Sequence, residues 1–163
     1  MGSLEHYQNI MKIVPEAIRF CCQKEHMTEE TFFRNLQAGD EATHSRLRYA
    51  LAKGISGYLG SFDDNLQSVY VYGSTMDDNA GLSSDIDLII QVKCKNGETK
   101  RALEILDSYL LISYRILLGN DEYRMNCMLD VHIVDEQDIK ERTDYGCLIS
   151  SQHTIPVKVW SRA

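Results

Sequence analysis

The stretch that decides the fold is QSVYVYGSTMDDNAGLSSDIDLIIQV, residues 67–92. Its first part is rich in β-branched and aromatic residues and ends at the pair Gly73 and Ser74, which predicts a strand that breaks into a turn. After a spacer of ten residues, the segment DIDLIIQV predicts a second strand that opens with Asp85 and Asp87. Because side chains alternate between the two faces of a strand, these two carboxylates lie on the same face.

A third predicted strand carries another aspartate between apolar neighbours. The segment CMLDVHIV, residues 127–134, has the composition of a strand and contains Asp130. If the three strands are adjacent, Asp85, Asp87 and Asp130 converge on one point. Asp135 is the alternative third acid, but it lies at the end of the predicted strand rather than within it.

Helical periodicity surrounds these strands. Apolar residues recur at steps of three and four over residues 47–59, which predicts a core-facing helix that stops at Gly60. Pro15, followed by a glutamate, predicts the first turn of an earlier helix. Another long amphipathic helix is expected to end at Gly119, and IPVKVW, residues 155–160, predicts a short edge strand.

The order of these elements predicts an α+β fold. We expect a small mixed β-sheet of three to four strands packed with helices. Thr28 is a predicted N-cap of a short helix, and Asp40 opens a stronger one. We therefore expect an N-terminal helical extension over residues 1–39 and a main domain over residues 40–163.

Composition and charge narrow the classes of function. Seventeen Lys and Arg residues against twenty-four acids give a net charge of −7, which argues against broad nucleic-acid binding. No apolar run approaches the ~18–20 residues of a membrane span, and the N-terminus lacks a signal-peptide pattern. Five cysteines without a CxxC pair are typical of reduced thiols. We therefore expect a cytoplasmic protein without a membrane partner.

Three ionised carboxylates at one point repel one another, and a divalent cation reverses that repulsion. Mg²⁺ takes oxygen ligands, and two such ions about 3.5–4 Å apart can clamp the oxygens of a displacement at phosphorus. Gly73 lets a triphosphate approach the backbone, and Ser74 offers it a hydroxyl and an N–H. Ser84, directly before Asp85, is a further candidate for nucleotide contact. This constellation suits nucleotidyl transfer from a nucleoside triphosphate.

The same residues resemble the polymerase-β-like nucleotidyltransferase superfamily. Its hallmark is Gly-Ser, a spacer, Asp-x-Asp and a third aspartate on a later strand. With its ten-residue spacer this chain is most similar to the minimal nucleotidyltransferases, some of which are antitoxins that adenylylate a HEPN-domain toxin. The resemblance covers roughly residues 40–160. It implies Mg²⁺ and nucleoside triphosphate use, metal binding by Asp85 and Asp87, and a metal or general-base role for Asp130.

Two departures from the family pattern bear on function. Many minimal members carry an arginine just after Gly-Ser and a glycine a few positions later, where this chain has Thr75, Met76, Asp77 and Asp78. Acids near phosphates repel them, so this loop disfavours tight triphosphate binding. The N-terminal forty residues have no assigned counterpart in the family.

The leading hypothesis is a Mg²⁺-dependent enzyme that transfers a nucleoside monophosphate, AMP from ATP by resemblance, to a hydroxyl on a partner protein such as a HEPN-type toxin. One alternative is transfer to a small molecule such as an antibiotic. The other is a catalytically silent binding module of the antitoxin type. His132 is more often a packed histidine than a catalytic one, and the sequence leaves a homo-oligomer open.

Overall fold

The computed structural model describes residues 3–78, 80–81, 84–119, 126–143, 145–149, 151 and 155–163. The helices are α1 (Leu4–Lys24), α2 (Glu29–Gln37), α3 (Glu41–Phe62), α4 (Gly97–Leu118), α5 (Glu136–Glu141) and α6 (Gly146–Ile149). The strands are β1 (Leu66–Tyr72), β2 (Ile86–Val92), β3 (Leu129–Val134) and β4 (Val157–Ser161). A short 3₁₀ turn, Gly73–Thr75, follows β1 directly.

The four strands form one mixed sheet in the order β3-β2-β1-β4. Strand β1 is antiparallel to both β2 and β4, whereas β2 and β3 are parallel. Helix α4 makes the crossover that a parallel pair requires. The predicted α+β fold with a small mixed sheet is confirmed, and β4 lies at an edge as expected from its proline-led sequence.

The two faces of the sheet are covered differently. One face packs against the long helices, and its residues Val69, Val71, Leu88 and Ile90 are fully buried in the main core. Helices α1 and α3 contribute to that same core, and α1 packs along α3. The opposite face carries a smaller cluster built around Tyr70, Ile89 and Val134. This second face is therefore the more open one, and it is where polar chemistry can be placed.

Side-chain caps set the predicted helix starts. The Thr28 hydroxyl accepts from the N–H of Thr31 at 3.2 Å, and the Asp40 carboxylate accepts from the N–H of Thr43 at 2.9 Å. Gly119 closes α4 in a left-handed conformation with φ +62°. These three predictions are confirmed. The division at residues 39 and 40 falls in the connection between α2 and α3, and it stays a prediction.

The predicted helix start at Pro15 is wrong, because Pro15 lies inside α1. Proline lacks the N–H that would bond the carbonyl four residues earlier. That carbonyl belongs to Met11, and the hydroxyl of Tyr109 on α4 donates to it at 3.4 Å. A partner from another helix therefore helps α1 to continue through the proline.

The predicted stop at Gly60 is also wrong, because α3 continues to Phe62. The ring of Trp160 on β4 occupies the space that a Cβ at position 60 would need. Gly60 therefore serves the packing of α3 against β4 rather than ending the helix. Among the helices of the described ranges, none has the length and apolar character needed to cross a membrane.

Candidate metal centre

The sheet register brings the three predicted acids together. Asp87 on β2 lies opposite Asp130 on the parallel strand β3, and opposite Tyr72 on β1. Asp85 precedes β2 by one residue and shares the face of Asp87. One carboxylate oxygen from each of Asp85, Asp87 and Asp130 lies within 4.8 Å of the others. We call these three residues the acidic triad.

The triad is electrostatically strained around its central member. Burial, followed by the negative charges of Asp85 and Asp130, raises the pKa of Asp87 from 3.8 to about 6. Burial and the charge of Asp87 likewise raise the pKa of the neighbouring Tyr72. Among the described residues, no Lys or Arg forms an ion pair with the triad. A half-buried set of oxygen ligands that no described Lys or Arg neutralises fits a divalent cation such as Mg²⁺.

Gly73 is required where β1 meets the triad. Its φ is +74°, and a Cβ built on it would overlap the carboxylate of Asp87. The turn that follows, Gly73–Thr75, is closed by the N–H of Met76, which donates to the Gly73 carbonyl at 3.0 Å. Ser74 lies half-buried in this turn. The predicted Gly-Ser element and the acidic triad are thus direct neighbours in the fold.

Ser84 stabilises the loop that leads into the triad. Its hydroxyl accepts from the N–H of Gly81 at 2.9 Å, and its own N–H donates to the Gly81 carbonyl at 3.2 Å. Its role as a nucleotide ligand stays a prediction. Asp77 and Asp78 are exposed in the same loop, as expected. The spacer residues Asn79, Leu82 and Ser83 lie outside the described ranges.

Aromatic rings flank the triad on the open face of the sheet. Nε2 of His132 lies 3.2 Å from Oδ1 of Asp130, but the two atoms are not aligned as a hydrogen bond. The His132 ring stacks on Tyr145, with ring centroids 3.4 Å apart, and Tyr145 lies 6.2 Å from the ring of Tyr72. The sequence placed His132 on the face of Asp130, but it held no signal for Tyr145, which reaches the site only through the tertiary fold.

Asp107 is a positioning residue that sequence reasoning missed. From the middle of α4, one of its carboxylate oxygens accepts from the N–H groups of Met128 and Leu129, at 2.6 and 3.0 Å. These contacts hold the start of β3, and so they fix the strand that carries Asp130. A lone aspartate in an amphipathic helix is usually a solvated residue, so the pattern gave no reason to single it out.

The comparisons with known proteins add little to this geometry. No family model matches the sequence, and no curated protein matches it. A similar solved structure is a "putative nucleotidyltransferase" from Sulfolobus solfataricus, which is 24% identical in sequence. The alignment covers 76% of this chain and 90% of that chain, with a TM-score of 0.41.

Proposed function

We propose that this protein is a Mg²⁺-dependent nucleotidyltransferase. It transfers a nucleoside monophosphate from a nucleoside triphosphate, with ATP as the favoured donor, to a hydroxyl on a partner protein. The observation that carries the proposal is the acidic triad, whose three carboxylate oxygens lie within 4.8 Å beside the glycine turn that ends β1. Asp85, Asp87 and Asp130 would hold the metal.

The donor set fits the metal that such a reaction needs. Mg²⁺ binds carboxylate and phosphate oxygens together, and a pair of ions neutralises charge on the attacking and leaving oxygens at phosphorus. The raised pKa of Asp87 agrees with this assignment, because burial and then the charges of Asp85 and Asp130 disfavour its ionised form, which a divalent cation would stabilise.

The chain's own residues would bind and orient the nucleotide. Without a side chain, Gly73 leaves its backbone open to the phosphates, and Ser74 adds a hydroxyl and an N–H in the same turn. The acceptor hydroxyl oxygen forms a bond to the α-phosphorus while the bond from that phosphorus to the pyrophosphate oxygen breaks. Pyrophosphate leaves, and the hydroxyl proton passes to solvent.

One observation favours a second candidate, a catalytically silent binding module. Asp77 and Asp78 are exposed in the loop where phosphate-binding basic residues would be expected. Their charge opposes nucleotide binding without touching the triad. Such a module would neutralise a partner protein by contact alone and would leave nucleotides unchanged.

Labelling with two forms of ATP tests the proposal. The protein is incubated with Mg²⁺, candidate acceptor proteins and ATP that carries ³²P at either the α- or the γ-phosphate. We expect the α-label alone to enter an acceptor, and Asp85→Ala/Asp87→Ala to abolish the transfer. The control Asp77→Ala/Asp78→Ala, which removes the same number of acids from the exposed loop, should retain it. Absence of both transfer and Mg²⁺-dependent nucleotide binding in the wild type would exclude the enzyme.

A further inference from the structure

The strand that carries Asp130 lies at the edge of the sheet. Within the described ranges, β3 pairs with β2 and with no other strand. The Met128 carbonyl accepts from the N–H of Ile86 at 2.7 Å, so it points toward β2. Backbone groups alternate in direction along a strand, so those of Leu129, Val131 and Ile133 point away from β2. The Leu129 N–H in this row already donates to Asp107. The remaining outward groups, which are the Leu129 carbonyl and the N–H and carbonyl groups of Val131 and Ile133, bond no strand of the described ranges, and we call them the free edge of β3.

A strand added to the free edge would place a side chain next to the acidic triad. Neighbouring strands lie about 4.8 Å apart, and directly opposed residues in an antiparallel pair have Cα atoms about 4.5–5.5 Å apart. The backbone N–H and carbonyl of Asp130 point toward β2. The residue of the added strand that lies opposite Asp130 would therefore form a non-hydrogen-bonded pair with it, which is the kind with the shorter Cα–Cα distance. That residue would project from the same face as Asp130 and Asp87.

An apolar groove runs beside the free edge on the other face of the sheet. It has a volume of about 370 Å³, and its apolar lining comes from Leu129, Val131 and Ile133 of β3 and from Leu103 of α4. Asp107 also lines it, with one carboxylate oxygen bonded to the N–H groups at the start of β3. Lys100 and Glu104 stand exposed on its rim. Residues before and after the one opposite Asp130 would point into this groove, because side chains alternate along an added strand.

We propose that the acceptor is an extended peptide segment of a partner protein that adds antiparallel to the free edge of β3. Its Ser, Thr or Tyr hydroxyl lies opposite Asp130, and apolar residues on either side of the hydroxyl residue fill the groove. The backbone groups of Val131 and Ile133 bond no strand in the part of the chain that the structure describes, so they suit an extended backbone as partner, and the edge is continuous with the candidate active site. This inference rests on the proposed function, and it names the class of acceptor.

The bond changes are those of the proposed reaction. The peptide hydroxyl oxygen becomes bonded to the α-phosphorus, pyrophosphate is released, and the proton passes to solvent. The added strand supplies position, because its ladder hydrogen bonds fix which residue lies beside the triad. Proximity of this kind is the main contribution that a docking site can make to transfer.

The test uses a synthetic peptide, Lys-Gln-Val-Tyr-Val-Gln-Lys, whose tyrosine carries its only hydroxyl. In the proposed pairing, the backbone N–H and carbonyl groups of its two valines point toward the free edge. Those of its two glutamines point away from it. N-methylation of both valines removes the ladder hydrogen bonds that their N–H groups donate, and N-methylation of both glutamines is the matched control. AMP addition from Mg²⁺ and ATP is followed by mass spectrometry. We expect modification of the parent and the glutamine-methylated peptide, and at least a tenfold lower rate for the valine-methylated one.

A protein variant tests the groove independently. Ile133→Lys introduces a charge into the groove and should lower kcat/KM for the peptide at least tenfold. Ile112→Lys makes the same change at a site on α4 that is 57% exposed and outside the groove, and it should leave the rate unchanged.

The outcomes separate the two proposals. If the wild type binds ATP with Mg²⁺ but does not modify the peptide, or modifies both methylated forms equally, edge docking is overturned and the proposed function stands. If the wild type binds no nucleotide with Mg²⁺, the proposed function fails and the acceptor proposal falls with it.

Discussion

At the scale of single residues, Asp87 is the central member of the candidate metal site. It lies between Asp130 and Tyr72 across the sheet, and its pKa is raised to about 6 by burial and by the other two acids. The pairing of Asp85 with Asp87 could be predicted, because alternation along a strand is a local property. The contribution of Tyr145 could not be predicted, since it depends on contacts between distant segments.

Asp87→Asn should stabilise the metal-free protein at pH 7. The raised pKa means that the folded state holds the Asp87 proton more tightly than the unfolded state does. The free energy of unfolding therefore falls as pH rises from 3.8 to about 6, and it stays lower at higher pH. Removing the charge should recover about 1–2 kcal/mol after allowing for solvent screening of a half-buried group. Thermal unfolding in EDTA measures this, and a melting temperature equal to or below that of the wild type would contradict it.

Gly73→Ala should disrupt both stability and the site. The φ of +74° costs an alanine about 1–2 kcal/mol, and its Cβ would displace the Asp87 carboxylate. We expect a lower free energy of unfolding together with lost Mn²⁺ binding. Gly97→Ala is the control, because position 97 has no close neighbour and an ordinary φ. Unimpaired Mn²⁺ binding by Gly73→Ala would show that the glycine turn does not shape the metal site.

At the scale of elements, local patterns located the strands and three of the five predicted helix boundaries, and they failed where another element packs against the helix. Thr28, Asp40 and Gly119 act through their own backbone neighbourhood, so their signals were reliable. Pro15 and Gly60 were predicted as boundaries, but both lie inside helices. A tyrosine of α4 bonds the carbonyl that the proline leaves without its helical donor, and a tryptophan of β4 packs where a Cβ at position 60 would lie. The close packing of Gly60 against Trp160 is a tertiary contact that no local rule contains.

Gly60 and Gly57 offer a paired test of that packing. Gly60→Ala places a Cβ in the space of the Trp160 ring and should destabilise the protein by about 1–3 kcal/mol. Gly57→Ala meets open space and should stabilise α3 by about 0.5–1 kcal/mol. Chemical denaturation measures both values. Equal effects of the two substitutions would contradict the assigned role of Gly60.

At the scale of the whole molecule, the sheet order places the triad on the open face and the long helices on the other. The sequence predicted the class of this architecture, but not the order β3-β2-β1-β4. Nor did it indicate that Arg48 is fully buried above the ring of Tyr114, with no hydrogen-bond partner for its guanidinium in the described part of the chain. Arginine side chains are usually exposed, so residue type alone favoured an exposed Arg48.

Binding should couple the site to the stability of the whole fold. A ligand that binds only the folded state at one hundred times its Kd adds about 2.7 kcal/mol, so Mg²⁺ with a non-hydrolysable ATP analogue should raise Tm by several degrees. EDTA should reverse the shift. Asp85→Asn/Asp87→Asn should show none, whereas Asp77→Ala/Asp78→Ala should retain it. A shift that survives loss of both triad acids would place the ligand elsewhere.

The most direct measurement is anomalous diffraction from crystals grown with Mn²⁺ and a non-hydrolysable ATP analogue. We expect manganese peaks among the carboxylates of Asp85, Asp87 and Asp130, about 3.5–4 Å apart if two ions bind, with the triphosphate against the Gly73–Thr75 turn. Crystals with bound analogue but no manganese at the triad, or with the triphosphate away from that turn, would contradict the account.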